Sequence, residues 1–312
     1  MPTKTEYLAD PAVRGFIDYL RALMRGKNFY HGYEIGESRR WECHSLQDAL
    51  AQYDFNNTGF SKNQKKLQWI EQHLREAYYN NKDEPFYTWC LRTLIWGGGT
   101  ARNANADWLD CKLKGNEKGN ELVRAFRRGV QALGGDKPQF DAFDDNRDTS
   151  LRMNSGFSKI YALLRDDFVI YDGRVGAALG LLVTRFLAGN QLSLTSNLAF
   201  AWGGEDWKPN SKRDPSSELF IFPRLGKGYR IRKEREYLAN MGWNGKYNGR
   251  TKQSFHAEMN VRANWILGEV VHDIPFGNGQ NPTQKERLRG LEAALFMIGR
   301  DVSTVRAESN SG

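Results

Sequence analysis

The sequence predicts a mainly α-helical protein built as one large domain, on three observations. Apolar residues recur at helical spacing through most of its 312 residues, capping residues and glycines bracket those runs, and only one short patch reads as a strand. With 40% hydrophobic residues, including nine Trp, thirteen Tyr and seventeen Phe, the chain can bury a full core, which excludes wholesale disorder. Its net charge of +8 and pI of 9.3 favour polyanionic partners, nucleic acid ahead of a membrane.

Residues 10–25 place Val13, Phe16, Ile17, Leu20, Leu23 and Met24 on one helical stripe that Gly26 ends. Residues 28–60 are mixed and aromatic. A second helix is predicted at 61–80, with Ser61 as cap and Leu67, Ile70 and Leu74 inward. Pro85 opens a third, Phe86 to Trp96, stopped by Gly97-Gly98-Gly99. Further helices are predicted at 101–113, 117–133, 157–165, 173–188, 191–201, 255–271 and 284–298. Between them, 203–253 is rich in Gly, Pro, Asn and cations and holds the strand-like patch Glu218–Phe222. The expected layout over 1–302 is an N-terminal elaboration (1–84), a core (about 86–200), a small irregular or β insertion (around 205–250, within the basic segment 203–253) and C-terminal helices (255–300). Residues 303–312 are expected to form a disordered tail.

Met1 to Asp10 lacks the apolar core of a secretory signal, and the best apolar run, Val175 to Val183, is too short to span a bilayer. Cys43, Cys90 and Cys111 are scattered and odd in number, so they read as reduced thiols of a bacterial cytoplasmic protein. Cys43-His44 lacks a partner pair for zinc, and neither a metal nor any other cofactor is expected.

The most informative stretch is Phe168-Val169-Ile170-Tyr171-Asp172-Gly173-Arg174-Val175. An apolar, extended run delivers one carboxylate to the start of a small-residue, apolar helix. Asp172 is therefore an N-cap, accepting the helix's first amides. A cap is one role for it. A fixed anion that stabilises developing positive charge in a reaction is the other.

Two segments together resemble the helix-hairpin-helix DNA glycosylase superfamily, in particular its 8-oxoguanine DNA glycosylase-like branch. They are Phe86-Tyr87-Thr88-Trp89-Cys90-Leu91-Arg92-Thr93-Leu94-Ile95-Trp96-Gly97-Gly98-Gly99-Thr100 and the run from Asn154 through Asp172 to Leu182. In that superfamily an apolar helix ends in a loop that enters DNA beside an extruded nucleotide, and an Asp opens a later helix. Ile95–Thr100 and Tyr171–Val175 are similar to these two parts. The resemblance spans about 86–182 and departs in two places. Asn154-Ser155-Gly156-Phe157 replaces the usual Leu-Pro-Gly-Val-Gly type of hairpin, and Lys159 stands thirteen residues before Asp172, closer than the lysine of bifunctional members.

The resemblance implies a monofunctional DNA glycosylase without cofactor, acting on double-stranded DNA and hydrolysing the N-glycosidic bond of a flipped base. Asp172 would stabilise the oxocarbenium ion and activate water. Lys159 is expected to bind a backbone phosphate in preference to forming a Schiff base. Asn154, Gly98, Thr100, Arg102 and Arg174 would meet DNA, Arg174 either at a flanking phosphate or in a surface ion pair. Trp96, Tyr30, His44 and Trp202 are the base-pocket candidates, each also a candidate for plain packing. The favoured substrate is a hypermodified, glucosylated hydroxymethyl cytosine of phage DNA in antiviral defence. Oxidised purine is the alternative, as is a non-catalytic DNA-binding protein of the same fold.

Residues 208–235 carry nine Lys or Arg against three acids, among them Lys212, Arg213 and Lys227, and suit either a phosphate track or a solvated loop. Finally, Asn57-Thr58-Gly59-Phe60-Ser61-Lys62 echoes Asn154-Ser155-Gly156-Phe157-Ser158-Lys159, each before a predicted helix. The echo reads as two similar local solutions rather than a duplication.

Overall fold

A computed structural model describes residues 2–98, 104–115, 120–144, 151–203, 211–226, 232–245, 247–277 and 281–303. Twelve α-helices among them carry the fold: α1 (Lys4–Ala9), α2 (Pro11–Met24), α3 (Leu46–Ala51), α4 (Phe60–Tyr79), α5 (Asp83–Trp96), α6 (Ala104–Lys114), α7 (Glu121–Ala132), α8 (Phe157–Leu164), α9 (Gly173–Gly189), α10 (Arg232–Asn240), α11 (Lys252–Val270) and α12 (Gln284–Ile298). The mainly α class holds. The sheet is an antiparallel hairpin of β1 (His31–Ile35) and β2 (Arg39–Cys43), with His31 opposite Cys43 and Tyr33 opposite Trp41.

Two helical groups meet around one continuous core. α9 packs against α12 and α2, which in turn contact α3 and α11, while α4 and α5 pair with each other, both packing on α8 and α5 also on α7. α9 is buried on all sides from Val175 to Thr184, as its Gly-Ala-Leu composition requires. No helix among the described residues is long and apolar enough to cross a membrane.

Local chemistry explains the helix starts. Asp10 accepts the amides of Ala12 and Val13 ahead of Pro11. Thr283 and Glu286 form a reciprocal capping box on α12, and Thr251 with Ser254 does the same on α11. Each such cap stabilises by about 1 kcal/mol.

Several expectations are corrected. α4 begins at Phe60 behind Gly59, so Ser61 lies inside the helix and provides no cap. α5 begins at Asp83, two residues before Pro85, because first-turn amides have no intrahelical acceptor and a proline there costs nothing. Asp83 turns its carboxylate to the start of α7, accepting from Leu122 (3.1 Å) and Val123 (2.9 Å).

Residues 191–201 form no helix. Gln191 adopts φ 53°, and Leu198–Trp202 is buried without a polar face to give it helical periodicity. Glu218–Phe222 forms no strand, since its amides go to hydroxyls: Phe220 to Ser217 (3.2 Å) and Phe222 to Ser216 (3.1 Å). A single parallel bridge, Trp202 to Arg224, is the only ladder contact there among the described residues, whose one two-stranded sheet lies at 31–43. Residues 304–312, most of the expected tail, fall outside the described residues, as do Thr100, Arg102 and Lys227.

Candidate active site

The extended run before Asp172 has no sheet to satisfy its backbone, and side chains do that work instead. Asn264 accepts from the Val169 amide (3.1 Å), and Asn260 donates to the Val169 carbonyl (3.0 Å). Glu292 Oε2 accepts from the Ile170 amide (2.7 Å). The Tyr171 carbonyl is met by His256 Nε2 (3.0 Å) and the Ser158 hydroxyl (3.3 Å). His256, Asn260 and Asn264 stand one turn apart on α11, a polar ladder inside a buried helix. Without it, both Val169 peptide groups would go unpaired, at roughly 1–3 kcal/mol each.

Asp172 then caps α9, its Oδ1 accepting from Arg174 (2.9 Å) and Val175 (3.1 Å). Among the described residues Oδ2 accepts no hydrogen bond. The helix start is wedged by close backbone approaches. A Cβ on Gly173 would stand 2.4 Å from the Gly203 oxygen, one on Gly176 2.1 Å from the Ala201 oxygen, and one on Gly299 1.8 Å from the Arg174 oxygen. Such clearances hold the carboxylate in place.

Asp172 faces a cavity of about 430 Å³ between the two helical groups. α4 and the preceding turn contribute Tyr53, Phe55, Phe60 and Asn63, α5 and its end Trp96, Gly97 and Gly98, α8 Lys159, and α12 Glu292 and Phe296. The aromatic rings form one wall. Phe55 lies 5.4 Å from Trp96 and 5.6 Å, edge-on, from Phe296. Trp96 donates to Asn63 Oδ1 (2.9 Å), and Asn63 donates to the Tyr53 hydroxyl (2.9 Å), so the wall is tied together. The Arg174 guanidinium covers the Phe296 ring at 4.4 Å.

The polar floor is desolvated. Lys159 is buried, its Nζ donating to the Ser155 carbonyl (2.7 Å), and burial holds its pKa below the ordinary lysine value against the pull of Asp172 and Glu292. Burial raises Glu292, opposed by the Arg289 guanidinium 2.6 Å away. Burial also lowers His256 to about 4, keeping the imidazole neutral at pH 7. Arg174 is lowered by burial first and by neighbouring Arg213 second. Gly97 makes room for this floor, since a Cβ there would stand 2.4 Å from Lys159 Cδ.

Of the sequence-predicted site residues, the cavity gathers Asp172, Lys159, Arg174, Arg213, Trp96 and Gly98. Others lie elsewhere. Asn154 closes the turn before α8, accepting from Gly156 (2.9 Å) and Phe157 (3.1 Å), while its amide nitrogen donates to Asn105 (2.7 Å). Lys212 is a surface residue 3.2 Å from Asp301. Tyr30 and His44 pair with each other (5.3 Å) at the exposed edge of the hairpin. Trp202 is buried in the core beneath Arg224 (4.9 Å). Tyr30, His44 and Trp202 therefore do not line the cavity.

Sequence reasoning missed Tyr53, Phe55, Phe60, Asn63, Glu292 and Phe296. Two signals were available. An acid and an aromatic sit four residues apart on the otherwise apolar second half of α12, and Phe55 and Phe60 flank an Asn-Asn turn, both asparagines left-handed (φ 54° and 57°). Comparison of the chain with protein-family models, curated proteins and solved structures returned no match.

Proposed function

We propose that this protein is a DNA glycosylase that excises a modified base flipped into the aromatic cavity. The observation that carries the reading is one cavity lined by Asp172 at a helix start, the desolvated Lys159 amine and a wall of aromatic rings. A base cannot react within the stack. Extruded, it would lie against Trp96, Phe55 and Phe296. The cavity volume falls within the usual small-molecule range of about 300–1,000 Å³ and suits a base bearing an added substituent. We favour hypermodified cytosine of phage DNA as substrate, with oxidised purine as the alternative.

In the proposed step the bond between sugar C1′ and the base nitrogen breaks, and its electron pair leaves with the base. The sugar becomes oxocarbenium-like, and the Asp172 carboxylate stabilises that charge. Water adds to C1′ and passes a proton to Asp172.

A second reading is favoured by the position of Lys159. Lys159 lines the cavity beside Asp172, and burial enlarges the neutral fraction of its amine able to attack. Attack by Nζ on C1′ in place of water, with loss of a proton from the amine, would give an aminal; its C1′–O4′ bond then breaks, O4′ takes a proton, and the opened sugar is held as a protonated imine. Borohydride, by reducing that imine, would join protein to DNA.

The test is incubation with duplexes carrying modified cytosines and with oxidised duplexes, scored for abasic sites and for borohydride cross-links. Base release lost in Asp172→Asn supports the glycosylase, and a cross-link lost in Lys159→Gln supports the amine. Binding without release from any substrate points to the non-catalytic alternative.

A further inference from the structure

A second surface, outside the cavity, has the chemistry of a nucleic-acid track. Lys62, Lys66, Trp69 and His73 follow one another at four, three and four residues along α4, which puts them on one face of the helix. α5 lies against that face and adds Trp89 and Arg92. His73 stacks on Trp89 (centroids 4.5 Å, planes 24° apart), and Trp69 meets Trp89 edge-on at 4.8 Å. The Arg92 guanidinium lies over both indoles, 4.7 Å from Trp89 and 5.6 Å from Trp69. Trp69 nevertheless stays 47% exposed, among the few large apolar side chains left open to solvent.

Charge distinguishes this face from the opposite flank of the same helix. There Glu71 and Arg75 are neutralised in a cluster with Asp166 and Lys285. On the aromatic face Lys62, Lys66 and Arg92 make no ion pair among the described residues, and the exposed acids Glu76 and Glu84 stand at the end remote from the cavity. Positive charge therefore accumulates toward the N-terminus of α4 and the C-terminus of α5. Phe60, Asn63, Trp96 and Gly97 line the cavity at that same end, and Ile95 beside them is 52% exposed.

We propose that this face binds an unpaired DNA strand, its phosphates along Lys62, Lys66 and Arg92 and one base on Trp69. Unpaired cations on a helix edge match the regular charge of a phosphate backbone. A half-exposed indole braced by a guanidinium offers a π-surface that only a base freed from its partner can use. A paired duplex could engage the cations alone. The strand would run off this face directly into the mouth of the cavity. The inference shares its polymer with the glycosylase reading but does not require base excision.

The experiment is fluorescence anisotropy with a labelled, unmodified oligothymidylate, single-stranded or annealed to oligoadenylate, over a range of salt. The wild type is expected to bind the single strand more tightly than the duplex. Trp69→Ala should weaken single-strand binding about tenfold, and Trp69→Phe should restore most of it. Lys62→Ala with Lys66→Ala should lower the magnitude of the log–log salt slope by about 1.4, two phosphates at about 0.7 each. All the substituted positions are exposed, and unchanged thermal unfolding would confirm intact folds. The assay scores binding to an unmodified strand and never base release, so failure of the excision reading leaves this test standing. Single-strand affinity unaffected by either substitution overturns the proposal, as does a duplex bound equally well and weakened equally.

Discussion

The starts of α4 and α8 share almost the same six residues, Asn57–Lys62 and Asn154–Lys159, and do opposite things with them. Gly59 opens α4 with no side-chain cap, Phe60 turns into the cavity, and Lys62 points to solvent. In α8, Asn154 folds back on the Gly156 and Phe157 amides, Phe157 packs against Phe126 and Trp108, and Lys159 is drawn into the cavity floor. Local sequence sets up a helix start in both. What decides whether a lysine there is solvated or desolvated is the wall around it: Gly97 clears space beside Lys159, while nothing encloses Lys62. Only the desolvated lysine gains the chemistry of a free amine.

The comparison can be broken most sharply at the two lysines and the carboxylate. Asp172→Asn is expected to lower base release by about 10²–10⁴-fold, the usual worth of a positioned acid–base group. Lys62→Ala should leave release on duplex substrates within about twofold. Steady-state excision assays on both variants check the contrast, and equal losses would erase it.

Next in size is the space beside Lys159. Gly97→Ala drives a methyl group into the Lys159 stem, so it should cost about 1–3 kcal/mol of stability and displace the amine. Gly59→Ala, with nothing within 4 Å of its added Cβ, should cost about 1 kcal/mol or less, the preference of an N-cap for glycine over alanine. Denaturant unfolding of the two variants measures the difference.

The ladder behind Asp172 makes a pH prediction. Burial lowers both His256 and His31 to about 4, from 6.5. Above pH 6.5 neither state carries the extra proton. As pH falls from 6.5 toward 4 the unfolded chain takes up protons that the folded chain refuses, so stability declines through that window and levels off below it. Each histidine contributes at most about 3 kcal/mol. Urea unfolding across this range should show the decline, and His256→Gln should remove part of it. The smallest expected effect is at the hairpin, where Tyr30→Ala should leave excision unchanged, since the ring lies outside the cavity.

What the sequence revealed follows the range of the interactions involved. α9 and its Asp172 cap were legible because the cap bonds to residues two and three positions ahead. α2 was legible because its stripe is regular. The hairpin was not, since Gly32 and two exposed arginines interrupt its alternation. α10 escaped detection because only Leu238 of its residues is buried, leaving no stripe to read. Glu218–Phe222 misled because aromatic and branched residues suit a strand, yet no edge was there to receive it. The cavity wall joins Tyr53, Trp96 and Phe296 from distant parts of the chain, and no local pattern marks that meeting. The ladder of His256, Asn260 and Asn264 was not legible either, because Glu258 and Arg262 on the same helix blur its one-turn spacing.

The central claim is that the cavity around Asp172 and Lys159 is a base-excision centre. Incubating wild type and Asp172→Asn with duplexes containing glucosylated hydroxymethyl cytosine or oxidised purine, and counting abasic sites, tests it most directly. Abasic sites with the wild type that vanish with the variant are the expected result. No base release from either substrate, or equal release by both proteins, would contradict it.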